Sequence, residues 1–451
     1  MTIVSIHAVC NGYFTIITKS ILLFSLTVLE YLYRICYAIC RWRCPMITRW
    51  QENRLVEMMG TRRGVNLTGA RQSGKTTLSE IVRFPKQRRY TLDDKEIRRS
   101  AADDPKGFVK HEKGETLVLD EIQKVPDLLD AIKMVLDANN DRGQYLLTGS
   151  SNLRFTKAVK DSLAGRLGWL RLRTLSLGEI FGNKTTFLET AFSRKFKREY
   201  QEIDKRDAIR LAFCGGYPEP REFSERDRRD WFQTYLEDLL TKDIKDVTEI
   251  RKLDVLKKAA VWLLAHSAQF FAIDELAAKV SLAKETVLNY LEALKALYLF
   301  DSVPAFSKSD YDLLGKRPKW FATDASLLAN ILSWNEDEVY LDQSRNGKLI
   351  ETWVYQQLAA MADVGGTYGI SHYRDGKKRE IDFVVERDDG NLLGIEVKSG
   401  AVGSSDFSNL KWFAANIAKG TPFTGIVVHS GKDVLPFGDG FYAVPFAALA
   451  E

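Results

Sequence analysis

The sequence predicts an α/β fold in three successive parts, and three observations carry that reading. An apolar strand, a glycine-bearing loop and a helix follow one another from Val65 to Val82. Helical spacing with charged outer faces runs from Phe187 to Phe306. Two alternating strands, Glu380 to Glu386 and Leu392 to Lys398, then follow a helical run that begins at Lys348. That order predicts a parallel-sheet domain, a helical middle and a second α/β domain. With 451 residues, 45% of them apolar, the chain is long enough for two to four domains and is neither disordered nor a small stapled scaffold.

Residues 1–45 read unlike the rest. Lys19, Glu30 and Arg34 interrupt their apolar run and leave only Ser20 to Leu29 uncharged, too short to span a bilayer. No small-residue cleavage pattern follows, so export is not expected, and a cytoplasmic location is. Normal globular composition begins at Met46, which reads as the start of translation with residues 1–45 as upstream reading frame. The alternative is a membrane-surface anchor and peripheral membrane association. Cys36, Cys40 and Cys44 share a helical face, which could suit metal or lipid, though such thiols are more often incidental. Lys19, Arg34, Arg41 and Arg43 against Glu30 place +3 of the net +5 in this extension, leaving +2 for the remainder. So small a charge gives no global argument for nucleic acid. Cys214 alone lies beyond Cys10, Cys36, Cys40 and Cys44, which rules out a disulfide framework or Cys-rich zinc module in the body of the chain.

Residues 46–185 carry the first chemistry. Gly69-Ala70-Arg71-Gln72-Ser73-Gly74-Lys75-Thr76 matches G-x-x-x-x-G-K-[ST] in full, between the strand Val65–Thr68 and the helix that continues through Thr77. Glycines let backbone N–H groups curl round phosphates, a lysine meets the β/γ charge, and a hydroxyl at the positive end of a helix suits Mg²⁺. The buried strand Thr116-Leu-Val-Leu-Asp120-Glu121 ends in two acids, Asp120 to hold Mg²⁺ and Glu121 to orient water. A third strand, Gln144–Thr148, ends in Gly149-Ser150-Ser151, where Ser150 either senses the γ-phosphate or makes a turn.

These elements resemble the AAA+ superfamily, and more narrowly the prokaryotic AAA+ ATPases whose P-loop domain is fused to a C-terminal domain of uncertain function. The resemblance rests on the P-loop, Leu119-Asp120-Glu121-Ile122-Gln123-Lys124-Val125-Pro126, Leu147-Thr148-Gly149-Ser150-Ser151, Leu163-Ala-Gly-Arg166, Leu175-Ser-Leu-Gly-Glu179 and Cys214-Gly215-Gly216-Tyr217-Pro218. It implies ATP rather than GTP, and makes Arg166 a candidate arginine finger or sensor, in cis or across a subunit contact; the other reading of Arg166 is a surface ion pair. Self-association stays open.

Residues 186–252 read as amphipathic helices, with Trp231, Phe232, Tyr235, Leu236, Leu239 and Leu240 at helical spacing and the Gly215-Gly216 pair as a tight turn against the ATPase part. Residues 253–306 suggest a winged helix-turn-helix: helices at Leu253–Ser267, Ala272–Val280 and Lys284–Leu297, then a β wing at Leu299–Phe306. Lys284, Glu285, Asn289, Glu292 and Lys295 would face outward. Because that face mixes both signs, DNA contact competes with an architectural role or a protein partner. Residues 307–345 connect it to the last part.

In residues 346–451, Ile381, Phe383 and Val385 are expected on one strand face and Asp382 on the other, while Glu396 and Lys398 share a face. Asp382 and Glu396 on neighbouring strands can then form a second Mg²⁺ or Mn²⁺ site, with Lys398 positioning water. The other reading is a hairpin with solvated charges. The pattern resembles the PD-(D/E)xK nuclease fold, a restriction-nuclease-like α/β domain. That resemblance adds Glu351 on the first helix as a metal ligand. Lys377, Lys378 and Arg379 are candidate phosphate contacts. The five histidines, His7, His111, His266, His372 and His429, show no metal spacing, so zinc and protease chemistry are not supported. The function expected is an ATP-dependent enzyme controlling a nucleic-acid-acting domain. The alternative is a nucleotide-dependent switch or scaffold that binds DNA or a protein and cuts nothing.

Overall fold

The computed structural model describes residues 46–150, 163, 165–247, 250, 252–307 and 316–451. The 1–45 extension with its four cysteines, and the expectations for Ser151 and Ala164, lie outside the described residues.

The strand read at Val65 is β1 (Gly64–Thr68). With β2 (Gln87–Thr91), β3 (Thr116–Asp120), β4 (Tyr145–Gly149) and β5 (Leu167–Arg171) it forms a parallel sheet in the order β2-β3-β4-β1-β5. Every residue of β1, β3 and β4 is buried, as expected for a parallel sheet covered on both faces. On one face, Leu128, Ile132 and Leu136 of an amphipathic helix (Asp127–Ala138) meet Leu117, Leu119 and Leu147; on the other, Leu55 and Leu78 meet Val65, Leu67 and Val118. Because β4 lies between β1 and β3, the carboxyl ends of all three strands are neighbours: Thr68 is level with Gly149, and Leu119 with Leu147. This edge of the sheet is where an open parallel sheet binds ligands.

The middle of the chain is helical. Helix α1 (Lys205–Cys214) is capped by Asp204, and α2 (Glu225–Thr241) by Ser224. The two-glycine turn after α1 has a steric cause. Gly215 has φ +62°, and a Cβ there would lie 2.2 Å from Ser326 Oγ; one on Gly216 would lie 2.2 Å from the Leu175 carbonyl oxygen. Three helices then fall close to their expected places, α3 (Leu253–Ala265), α4 (Ile273–Val280) and α5 (Lys284–Ala296). Val280, Val287, Leu291 and Leu294 are buried, and Ser281 takes the left-handed turn between α4 and α5 at φ 53°. The strand expected as a wing, β6 (Phe300–Val303), pairs antiparallel with β7 (Lys319–Ala322), so half of that hairpin comes from the segment read as connecting.

A 23-residue helix, α6 (Gln343–Gly365), is buried on nearly every side, with Leu349, Trp353 and Leu358 inside. It is followed by β8 (Tyr368–Arg374), β9 (Glu380–Arg387) and β10 (Leu392–Lys398), an antiparallel run. Helix α7 (Ser408–Asn416) then crosses to β11 (Phe423–His429), parallel to β10, and β12 (Phe441–Pro445) lies parallel to β11. One alternation departs from expectation. The register shifts between Ile381 and Val384, a β-bulge. Ile381 and Val384 therefore pack with Leu410 and Phe413 of α7, while Phe383 and Val385 face the core around α6. Ile381 is thus not on the same face as Phe383 and Val385, because the bulge re-aims the residues around Asp382. No helix among the described residues is long and apolar enough to cross a membrane.

Candidate functional site

The loop from Gly69 to Thr76 leaves the carboxyl end of β1 and enters the helix Lys75–Ile81. Gly69 (φ +155°), Gln72 (φ 61°) and Gly74 (φ +97°) curl it, and a Cβ on Gly69 would lie 2.1 Å from the Leu172 carbonyl oxygen. The first helical bond runs from the Leu78 amide to the Gly74 carbonyl, which leaves the preceding amides without helical acceptors. Ser73 is buried and its Oγ has no partner. Ala70 is buried, whereas Gln72, Thr76 and Thr77 are exposed. The Lys75 ammonium donates to the Gly69 and Ala70 carbonyls (3.0 and 2.8 Å). Burial pulls its pKa down to about 8, against the opposing pull of Glu121 and Asp120.

Asp120 stands at the neighbouring strand end. Thr76 Oγ1 donates to it at 3.1 Å, and Thr148 donates from β4. A hydroxyl and a carboxylate this close form an oxygen donor pair suited to Mg²⁺ beside a phosphate loop. Glu121 has left-handed backbone (φ 58°), which turns the chain out of β3. Its carboxylate accepts from Ser150 Oγ (3.2 Å) and from Gln123 Nε2, which also donates to Ser150 (3.1 Å). The structure therefore brings together Lys75, Thr76, Asp120, Glu121 and Ser150. Arg166 is not among them. It precedes Leu167, which is paired with Gly64 at the opposite end of β1 from the loop. Four strand steps place it roughly 13 Å away along the sheet. There its guanidinium grips Asp137 at 2.5 and 3.1 Å, a surface ion pair.

Arginines surround the loop: Arg71 belongs to the motif itself, whereas no motif announces Arg49, Arg171 and Arg173. Arg49 donates to the Ser73 carbonyl (2.7 Å), the Arg173 carbonyl (2.6 Å) and Glu179 (3.0 Å). Glu179 closes a capping box with Ser176, so the Leu175-Ser-Leu-Gly-Glu179 motif holds a clamp on the P-loop. Arg71 pairs with Asp243 just past α2 (2.7 Å), and Tyr235 Oη donates to the Arg71 carbonyl (3.2 Å). Arg171 and Arg173, at the loop end of β5, reach Asp301 on β6 (2.9 and 2.8 Å), and Arg173 also reaches Asp363 on α6 (2.6 Å). Burial would raise the Asp301 carboxyl, but the two guanidiniums outweigh it and hold it well below the carboxylate range.

In the C-terminal part, Glu351, Glu380, Asp382, Glu396 and Lys398 line one cavity of about 360 Å³. The predicted residues therefore do meet, and Glu380 joins them. Among the described residues, however, no three His, Cys, Asp or Glu side chains stand in metal-holding geometry. What sits among the acids is Lys319 of β7, 2% exposed, its Nζ 2.6 Å from Glu351, 2.8 Å from Glu380 and 3.5 Å from Asp382. Burial alone would lower its pKa; the three carboxylates outweigh that and raise it. Asp382 also accepts the Val397 amide (2.9 Å). Glu396 Oε1 is buried without a partner. Burial, then Asp382, pushes the Glu396 carboxyl well up and that of Glu351 to about 8. Lys398 is half-exposed, 3.8 Å from Asp406. Arg379 is tied to Asp375 (2.8 Å) and lies over the Trp412 ring, leaving Lys377 and Lys378 as the exposed cations of that turn.

A curled glycine loop, a helix-borne lysine and hydroxyl, and an acid pair on the strand one removed define a P-loop ATPase domain, with ATP as the nucleotide that class takes. Residues 61–181 match the family model of an AAA domain. Residues 205–338 and 346–449 match two domains of unknown function, DUF8612 and DUF4143. Uncharacterized proteins of Mycobacterium bovis and Mycobacterium tuberculosis are each 27% identical over 397 residues, covering 84% of this chain and 79% of theirs. One of Methanocaldococcus jannaschii is 23% identical over 350 residues, covering 71% and 72%. Among solved structures, a Walker-type ATPase of Pyrococcus abyssi is 13% identical with a TM-score of 0.36, covering 63% of this chain and 95% of that one.

Proposed function

We propose that the chain is a Mg-ATP-dependent ATPase whose nucleotide state controls a C-terminal nuclease-like domain acting on nucleic acid. The observation that carries this is the ion-paired path from the loop to the acid pocket. Arg171 and Arg173, beside the P-loop, hold Asp301 and Asp363, and Asp363 lies on the same helix as Glu351. Lys75 would leave its own loop carbonyls for the β- and γ-phosphates, Thr76 and Asp120 would hold Mg²⁺, and Glu121 would orient the attacking water with Ser150 and Gln123 fixing its carboxylate. Bound Mg²⁺ supplies positive charge to the phosphates. An order of helix, three antiparallel strands, helix and parallel strand around Asp382 and Glu396 supports the nuclease-like reading, as does the re-aiming of Asp382 by the bulge.

A second reading, a switch that binds DNA or a protein partner and cuts nothing, is favoured by the ammonium among the carboxylates and by the mixed charge of the exposed α5 face, which suits a protein better than the major groove. Cleavage of single- and double-stranded DNA with Mg²⁺ or Mn²⁺, with and without ATP, separates the two. Metal-dependent cleavage lost in Lys398→Ala supports the first. ATP hydrolysis with no cleavage under any condition supports the second, and wild-type turnover in Lys75→Ala or Asp120→Ala refutes the ATP site.

A further inference from the structure

The acid pocket is short of positive charge. Four carboxylates, those of Glu351, Glu380, Asp382 and Glu396, meet one buried ammonium, the half-exposed Lys398 and, 3.9 Å from Glu380, the exposed Arg374. Glu396 turns a buried, unpartnered oxygen into the same place. Buried carboxylates so crowded either take up protons or take in a cation. Lys319 holds an oxygen of each of Glu351, Glu380 and Asp382, and a divalent ion drawing those oxygens to about 2.1 Å would take the place its ammonium now fills.

Lys319 does not belong to the C-terminal sheet. It is delivered by the β6–β7 hairpin, where Lys319 is paired with Val303 and Asp301 with Phe321, so the residue gripped by Arg171 and Arg173 lies two strand positions from the residue in the acids. At the other end of this hairpin, Tyr298 and Thr323 share a small cavity with Ala70 of the P-loop. One short ribbon faces the nucleotide loop across this cavity at one end and enters the acid pocket at the other.

We propose that Lys319 is a tethered cation that holds the place of a divalent ion in the acid pocket, and that metal enters only when the β6–β7 hairpin withdraws it. This rests on reading the pocket as a divalent-ion site. It makes the domain closed by default, with the ATPase end of the hairpin positioned to open it.

Two measurements on the nucleotide-free full chain test it, with Mn²⁺ as the probe. Bound Mn²⁺ is counted by paramagnetic resonance in the wild type, in Lys319→Met and in Lys319→Met with Glu351→Gln and Glu396→Gln. The expected result is at least about tenfold tighter Mn²⁺ binding in Lys319→Met, since the carboxylate cluster loses the buried cation that partly shields it, and loss of that gain in the triple variant. In the wild type, which needs no variant to fold, acylation of Lys319 is followed by mass spectrometry across a Mn²⁺ titration to tens of millimolar. Its rate should rise as the ion displaces the ammonium, and should already be raised in Asp301→Asn. Labelling that stays unchanged across the titration overturns the proposal; if Mn²⁺ is bound meanwhile, the metal-site reading survives without the plug. A folded Lys319→Met that binds no Mn²⁺ sinks both.

Discussion

Replacing Asp301 by Asn keeps the shape and removes one charge from a buried network. Asp301 accepts from Arg171 (2.9 Å), Arg173 (2.8 Å) and Tyr355 (2.7 Å), and Arg173 is itself only 8% exposed. Loss of the carboxylate takes from Arg171 its acid and leaves Arg173 with Asp363 alone, and removing one member of a buried ion group costs about 3–5 kcal/mol. Urea denaturation followed by tryptophan fluorescence reads this directly. The pH dependence has a defined sign. The folded-state pKa of Asp301 lies below its unfolded value, so its stabilisation is fully present above the unfolded pKa of about 3.9 and disappears as pH falls toward the folded value. The gap between wild type and Asp301→Asn should therefore be constant from neutral pH down to mild acid and shrink below about pH 4. A loss under about 1 kcal/mol, the range of an exposed pair, would refute the picture of a buried junction between the ATPase sheet and α6.

Three further outcomes follow from the same geometry. With the Lys75 pKa pulled to about 8 by burial, and raised again by phosphate in the complex, ATP affinity should weaken about tenfold between pH 7 and 9; a flat titration-calorimetry profile over that range would argue against Lys75 as the phosphate ligand. Glu121→Gln should retain ATP binding while hydrolysis falls by roughly 10²-fold or more, as for loss of a general base; near-normal turnover would remove Glu121 from the chemistry. Gly215→Ala should lower stability by roughly 1–3 kcal/mol, from positive φ and a Cβ pressed on Ser326, and an unshifted urea midpoint would contradict the close approach.

Much of this molecule is legible in the amino-acid order where local rules dominate. The P-loop declares itself because its glycines, lysine and threonine must stand at fixed spacing in one short stretch, and Asp120 because an acid ends the apolar run Leu117-Val118-Leu119. Helices α3 to α5 follow from the spacing of their apolar residues. The long-range pairs are a different matter. Arg71 with Asp243, Arg173 with Asp363 and Lys319 with Glu351 join residues far apart in sequence, and a charged residue beside an apolar strand looks the same whether it faces water or a buried partner. Arg166 shows the converse: its motif suggests the nucleotide, but strand direction carries it to the end of the sheet away from the loop of its own chain. The bulge at Asp382 is hidden for a related reason, since Glu380 to Glu386 alternates without interruption and only the pairing with β8 exposes the slip.

The burial of α6 on nearly every side has a practical meaning for anyone dissecting the chain. Its apolar surface is shared out among α1, the β6–β7 hairpin and the C-terminal sheet, and the same core takes in Ala70 at one extreme and Ala450 at the other. Family models that divide the sequence at 338 and 346 mark units of inheritance, not units that can be cut apart with scissors. A fragment beginning at Gln343 would carry this helix with its outer half stripped of cover, and a fragment ending before it would leave the hairpin with nothing to rest on. The two halves of the molecule rest on one shared spine, and neither can be removed without uncovering it.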